Sequence, residues 1–229
     1  MDRTPFDAIF FDLDGTLIDT ESADFRACQL LYDELGLTIS LEHWAATTVG
    51  VLDGYDLLFA ELIQTSPNGL TAARLWQRIR ELLEITNQNI GLMPGADTLP
   101  PQLHAAGYSL GIATASDRRW AGRWLNRFGL EPYFQVIATG DVVPRNKPAP
   151  DVYLFAAEQV GVCPGRCLVF EDSLPGVTAA KAAGMTVVAV PSPMTQSMDF
   201  SRADAAVPGL QHVTLDWIQT LARPAKSTF

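Results

Sequence analysis

Three cysteines are too few, and too unevenly placed, for a disulfide framework or a thiolate metal site. Cys28, Cys163 and Cys167 form an odd set, and no second pair or nearby histidine completes four ligands around Cys163 and Cys167. They read as plain thiols, which fits a reducing cytosol. His43, His104 and His212 fall in no pattern, so they are expected to be structural or surface residues. No apolar run approaches the ~20 residues of a membrane span. The opening MDRTPFDAIFFD has one basic residue and too short an apolar stretch for a signal peptide. The expectation is a cytoplasmic protein with no membrane partner. Positive charge is scarce too: 16 Lys and Arg stand against 26 Asp and Glu, a net charge of −10. Such a surface repels phosphate backbones, so nucleic acid is not an expected partner. A small anion is still allowed, because one local cation can reverse the field inside a pocket.

What the sequence does have is apolar material in an ordered rhythm. Of 229 residues 48% are hydrophobic and 18% charged, which suffices for one large domain or a core with a smaller insert and argues against global disorder. Residues 8–11 are a short apolar run ending in acidic residues and glycine, the pattern of a buried strand followed by a loop. From about Thr20 to Asn89 the spacing becomes helical, in FRACQLLYDEL, GYDLLFAELI and AARLWQRIRELLEI. Breaks are expected at Gly36, Gly50 and the turn Ser66-Pro67-Asn68-Gly69. After Met93-Pro94-Gly95, helices at 99–106, 119–128, 152–160 and 177–183 alternate with strands at 109–114, 135–139, 167–170 and 186–190. Alternation of this kind predicts an α/β fold, a Rossmann-like parallel sheet covered on both faces. The helical block, falling after the first strand, reads as an inserted domain. The tail after Arg223 is expected to be loose.

Four polar clusters follow these strands. Asp12-Leu13-Asp14-Gly15-Thr16, Thr114-Ala115-Ser116 and Glu171-Asp172 stand directly at strand ends, and Lys147-Pro148 a short loop later. Open α/β sheets bind ligands at the carboxyl ends of their strands, so one sheet would gather all four at one edge. Asp12, Asp14 and Asp172 at close range would repel one another unless a cation neutralises them. Mg²⁺ suits oxygen ligands of this type, and with the Lys147 ammonium and the Thr114 hydroxyl it suits a transferring phosphoryl group. Each cluster also has a plainer reading. Asp-x-Asp-Gly is a common turn, Thr114 or Ser116 could cap the next helix, Lys147 could be a surface lysine, and Asp172-Ser173 could be a helix cap with Pro175 in its first turn.

FFDLDGTLIDTE, IATAS, KPAPDVY and VFEDSLPGVTAAKAAG, in that order, resemble the four motifs of the haloacid dehalogenase superfamily. The resemblance covers nearly the whole chain and is nearest the subgroup with a helical cap, which includes β-phosphoglucomutase and phosphoglycolate phosphatase. It implies a catalytic core at 1–18 and 91–229 with a helical cap at 19–90. It also implies Mg²⁺-dependent hydrolysis of a small phosphate monoester, a sugar or other metabolite phosphate. Asp12 would be the nucleophile and a metal ligand. Asp14 would be the general acid and then base, lending its backbone carbonyl to the metal. Thr114 and Lys147 would hold the phosphoryl oxygens; Asp172 would bind Mg²⁺, and Glu171 would ligate it or orient a water on it. Substrate contacts are expected from Thr16, Ser116, Arg118, Gly50 and Asp53. The protein is expected to act alone or as a weak homodimer.

The specificity positions of β-phosphoglucomutase are not kept. Asp24 stands where that family has a histidine, Asp53 where it has a cap arginine, and Asp117, followed by Arg118 and Arg119, where it has a lysine. A second phosphate would be poorly received unless Arg118, or Arg78 or Arg80 of the cap, compensates; the latter two read as a solvated helix face. Trp44 and Trp76 read as packing residues. A phosphomutase is thus the first alternative, and an idle binding or regulatory protein on the same fold the second.

Overall fold

The computed structural model describes residues 5–51, 53–65 and 69–221. Its framework is a parallel sheet in the order β3-β2-β1-β4-β5-β6. The strands are β1 (Ala8–Phe11), β2 (Ser109–Ala113), β3 (Val136–Ala138), β4 (Cys167–Glu171), β5 (Thr186–Ala189) and β6 (Ala205–Ala206). All four residues of β1 are buried, as befits a central strand with a layer on each face. Successive side chains point to opposite faces. Ile9 and Phe11, with Leu168 and Phe170, therefore enter one apolar cluster, while Ala8 and Phe10, with Cys167 and Val169, enter another. Phe11 stacks on Phe170 with ring centroids 5.1 Å apart, and burying an aromatic of this size stabilises by ~1.5–3 kcal/mol. In register, Phe11 pairs with Ile112 on one side and Phe170 on the other. The residues just beyond these three therefore emerge together at one edge.

Between β1 and β2 lies a helical insertion: α1 (Thr20–Glu34), α2 (Leu41–Thr48), α3 (Gly54–Thr65) and α4 (Ala72–Thr86). It has its own apolar cluster, in which Ala27 and Leu31 of α1, Leu58 and Leu62 of α3, and Leu75, Ile79 and Leu82 of α4 repeat at helical spacing. The two connections to the sheet run side by side, with Asp19 N donating to Gly91 O at 3.0 Å and Met93 N to Leu17 O at 2.8 Å. The sheet is covered by α5 (Leu99–Ala105), α6 (Arg118–Arg127), α7 (Asp151–Val160), α8 (Leu174–Ala182) and α9 (Leu215–Thr220).

The expected alternation agrees with these elements to within a few residues. α8 starts earlier than periodicity suggested because Ser173 Oγ accepts from Gly176 N at 3.1 Å and Pro175 is tolerated in a first turn. α6 is capped by Asp117, whose side chain accepts from Trp120 N at 2.7 Å, so neither Thr114 nor Ser116 caps it. α2, β6 and α9 were not expected. α2 is short and buries only Trp44 and Ala45, too few for a legible period. Residues 66–68 of the expected turn, and the tail after Arg223, lie outside the described residues.

Candidate active site

Asp12 leaves β1 at its carboxyl end and meets Lys147, whose Nζ donates to Asp12 Oδ1 and, at 2.6 Å, to Glu171 Oε1. Glu171, the last residue of β4, is filled on both oxygens. Tyr153 of α7 donates to Oε1 at 2.7 Å, and the Ser173 N–H and hydroxyl donate to Oε2 at 3.1 and 3.0 Å. This carboxylate can sit against α8 because residue 176 is glycine; a Cβ there would lie 1.7 Å from Glu171 Oε1. Burial pushes Asp12 up to about 8 despite the opposing pull of Lys147, with the Glu171 and Asp14 charges adding to the rise. Burial alone would lower Lys147, but the Asp12 and Glu171 carboxylates outweigh it and hold the ammonium above its ordinary range.

Asp172 differs from Glu171 in having capacity left. Its Oδ1 accepts from Thr16 Oγ1 at 3.1 Å, while its buried Oδ2 has no hydrogen-bond partner among the described residues. Burial first, then the neighbouring Glu21, Asp12 and Glu171 carboxylates, drive Asp172 well up. Glu21, in the first turn of α1, accepts from Ser192 Oγ at 2.9 Å and is itself pushed up to about 8 by burial. Gly15, with φ +79°, leaves room for this crowding, since a Cβ would lie 2.1 Å from Asp172 Oδ2. Asp12, Glu171 and Asp172 each offer an oxygen within 4.8 Å of the others. The three could together hold a cation; Glu171 already accepts from Lys147, Tyr153 and Ser173, whereas Asp172 keeps one oxygen open.

Asp14 is held by four neutral donors. Thr20 Oγ1 and Trp120 Nε1 reach Oδ1 at 2.9 and 2.8 Å; Ser116 Oγ and Thr114 Oγ1 reach Oδ2 at 2.7 and 3.4 Å. These side chains form the floor of a cavity of ≈ 370 Å³ between sheet edge and insertion, the size of a small-metabolite site. The insertion contributes Asp24, Trp44, Thr48, Gly50, Tyr55 and Asn87 to its lining, and Lys147 is the one cation among the residues that line it. Burial and the Asp14 charge push Asp24 up to about 7. Gly50, with φ +69°, passes α8 so closely that a Cβ would lie 2.8 Å from Pro175 Cγ.

Asp12, Asp14, Thr114, Ser116, Lys147, Asp172 and Gly50 of the expected set all line this cavity. Thr16 does not; it holds Asp172 instead. Arg118 turns to the Ile137 carbonyl of β3 at 3.1 Å, and Asp53 is exposed outside the lining. Arg78 pairs with Glu34 and Glu81, both at 2.6 Å, and Arg80 is exposed, so neither compensates for a missing cation. Trp76 donates to Asp56 at 2.8 Å as a packing residue should, but Trp44 lines the cavity. His43 pairs with the exposed Glu61 and His104 packs on Tyr133. Glu21, Trp120, Tyr153, Tyr55 and Asn87 had no assigned role from sequence. Glu21 and Tyr153 stood inside the quoted motif runs, and Trp120 stands one turn after the Asp117 cap, so those three positions carried a signal.

A parallel α/β sheet with this acid-rich edge defines a class of hydrolase, and the sequence bears it out: the family model for haloacid dehalogenase-like hydrolases matches residues 6–184. The chain belongs to that family. It is 36% identical to Protein CbbY of Rhodobacter capsulatus over 216 residues, 89% of this chain and 93% of the relative. It is 31% identical to hexitol phosphatase B of Escherichia coli K12 over 210 residues, 90% of this chain and 94% of the relative. A crystallised variant of CbbY from Rhodobacter sphaeroides, in complex with xylulose-1,5-bisphosphate, superposes with a TM-score of 0.70 at 30% identity, covering 90% of this chain and 96% of that one.

Proposed function

We propose that this protein is a Mg²⁺-dependent phosphatase that hydrolyses a small phosphate monoester, a sugar or other metabolite phosphate, through an aspartyl-phosphate on Asp12. The observation that carries the reading is the pairing of Asp12 with Lys147 on a cavity floor where Asp172 Oδ2 has no partner. An oxygen-only donor set with a buried, unpartnered carboxylate oxygen fits a hard divalent cation. The Asp12 and Asp172 carboxylates, with the Asp14 backbone carbonyl, would hold Mg²⁺, which when bound supplies charge neutralisation and polarises the phosphoryl oxygens. Glu171, its lone pairs taken by Lys147, Tyr153 and Ser173, serves as the anchor of Lys147.

Lys147 and the Thr114 hydroxyl receive the phosphoryl oxygens. An Asp12 oxygen attacks phosphorus, the ester P–O bond breaks, and Asp14 gives a proton to the leaving oxygen. Asp14 then takes a proton from water as that water attacks the phosphoryl group, releasing phosphate and restoring Asp12. The helical insertion, residues 19–90, acts as a cap that excludes water from the core, residues 1–18 and 91–229. The relatives' similarity supports a phosphorylated metabolite as substrate, met in the cytoplasm by a monomer or weak homodimer. A mutase must hold a second phosphate far from the nucleophile, and Lys147 as the one lining cation speaks against it.

Purified protein given p-nitrophenyl phosphate should turn over with Mg²⁺, stop with EDTA and recover on Mg²⁺ addition. Asp12→Asn should abolish turnover while preserving the circular dichroism spectrum. Undiminished activity of Asp12→Asn, or of metal-free protein, would sink the mechanism. Absence of turnover on any phosphate ester would leave the idle-binder alternative.

A further inference from the structure

Lys147 has to be carried across the sheet to reach Asp12. In the order β3-β2-β1 the chain leaves β3 at Ala138, two strands away from the end of β1 where Asp12 stands. Neighbouring strands lie about 4.8 Å apart, so the gap is about 10 Å, longer than a lysine side chain. The loop of residues 139–147 therefore crosses the carboxyl end of β2, where Thr114, Ala115 and Ser116 emerge. It is pinned at that crossing. Asn146 Nδ2 donates to the Ala115 carbonyl at 2.8 Å, and Asn146 Oδ1 accepts from the Lys147 N–H at 2.9 Å. A carbonyl needs a donor and an N–H an acceptor, so only one orientation of the amide serves both. From the start of the same loop, Gly140 N donates to the Ser116 carbonyl at 2.9 Å. Glycine is required there, since a Cβ would lie 2.2 Å from the Ala115 oxygen and 2.4 Å from Asn146 Nδ2. The Asn146 carbonyl accepts from Ala149 N at 3.0 Å, closing a turn with Lys147 at its second position.

The segment that Asn146 grips carries the other half of the phosphoryl site. Ala115 stands between Thr114 and Ser116, whose hydroxyls donate to Asp14, and Ser116 N donates back to Thr114 Oγ1 at 3.0 Å. The Asn146 amide thereby joins the lysine loop to the hydroxyl loop. Asp12 and Asp172, which follow β1 and β4, lie outside that joint. Asn146 stands just ahead of the KPAPDVY run and belongs to none of the four motifs. We infer, resting on the phosphatase reading, that Asn146 is a positioning residue. It holds the Lys147 ammonium and the Thr114 hydroxyl at a fixed separation, so that both meet oxygens of one phosphoryl group. Such positioning matters because a displacement of about 1 Å can cost about 10²-fold in rate.

The test separates the phosphoryl half of the site from the metal half. Asn146→Ala removes the joint, and Gly140→Ala leaves Asn146 in place but wedges the two loops apart. Calorimetry would measure the Kd of inorganic phosphate in the presence of Mg²⁺, and the Kd of Mg²⁺ alone. Each variant should weaken phosphate about tenfold while moving the Mg²⁺ Kd about twofold or less, and kcat/KM on p-nitrophenyl phosphate should fall about tenfold or more. Equal losses of phosphate and Mg²⁺, or an unchanged phosphate Kd in Asn146→Ala, would overturn the positioning role. A melting curve for each variant confirms a folded protein. Turnover of p-nitrophenyl phosphate by the wild type is the separate check on the phosphatase reading. If that turnover is absent while Asn146→Ala still loses phosphate and keeps Mg²⁺, the hydrolase reading falls and the positioning role stands.

Discussion

Trp120 donates its indole N–H to Asp14 Oδ1 at 2.8 Å, from the first turn of a helix that Asp117 starts by capping the Trp120 N–H. The ring packs edge-on to Trp124, centroids 5.5 Å apart, which limits where the indole can point. Asp14, the proposed proton carrier, is thereby held by a group rigid enough to fix its orientation.

Trp120→Phe keeps an aromatic ring and deletes that donor. A hydrogen bond to a charged group contributes ~1.5–3 kcal/mol, so kcat on an alkyl phosphate should fall about tenfold or more. An aryl phosphate, whose leaving group needs less protonation, should lose less in the phosphorylation step. Single-turnover rates on the two substrate types would measure this. Equal losses on both, or a fall in melting temperature that accounts for the change, would remove Trp120 from the positioning of Asp14.

Two glycines in helices make opposite predictions. At Gly176 an added Cβ would lie 1.7 Å from Glu171 Oε1 and 2.0 Å from Glu171 Cδ, so Gly176→Ala must displace the carboxylate that anchors Lys147. The expected cost is at least the ~1–3 kcal/mol of an overpacked core, with phosphatase activity lost alongside. Gly122 in α6 has nothing within 4 Å of its ideal Cβ. Gly122→Ala should stabilise by ~0.5–1 kcal/mol through helix propensity and leave activity alone. Urea unfolding of both variants reads the signs.

Much of the floor was legible and little of the roof, for a physical reason. An apolar run ending in polar residues marks a strand end, and parallel register then brings Asp12 level with Ala113 and Glu171, with Thr114 and Asp172 one residue further on, whatever the rest of the chain does. Helical periodicity marks a buried face without saying what covers it. Trp44 therefore looked like an interior residue of the insertion and Tyr55 drew no reading of its own, and the seating of the insertion on the sheet is what turns them to the cavity. The same gap explains Arg118. Its sequence position suggested a phosphate contact, yet the first residue of α6 faces β3 and gives its guanidinium to a strand carbonyl.

The three cysteines should differ in reactivity. Cys163 is exposed, whereas Cys28 and Cys167 are buried, and burial pushes both of their thiols up to about 12. The thiolate is the reactive form. Ellman's reagent should therefore modify Cys163 first in the native protein and all three cysteines of the sequence after unfolding. Fast native labelling of Cys28, located by peptide mapping, would show that the insertion opens.

The last prediction concerns the acids around Asp172. With no cation bound, burial lifts Asp12 and Glu21 to about 8, against ordinary carboxylate values near ~4 in the unfolded chain. Between those limits the folded state binds more protons than the unfolded state, so these groups lower stability progressively as pH rises from ~4 to ~8. Mg²⁺ neutralises the same carboxylates and competes with those protons. It should therefore raise the melting temperature more at pH ~8 than at pH ~5.5. A ligand at ~100 times its Kd contributes ~2.7 kcal/mol, enough to resolve by differential scanning fluorimetry. Asp172→Asn removes one ionisable group and keeps the shape. The variant should be more stable than wild type in EDTA near pH ~8, because a buried carboxyl that resists ionisation is gone, and should respond least to Mg²⁺. A Mg²⁺ shift of equal size in wild type and variant would mean that the cation binds elsewhere on this acidic surface.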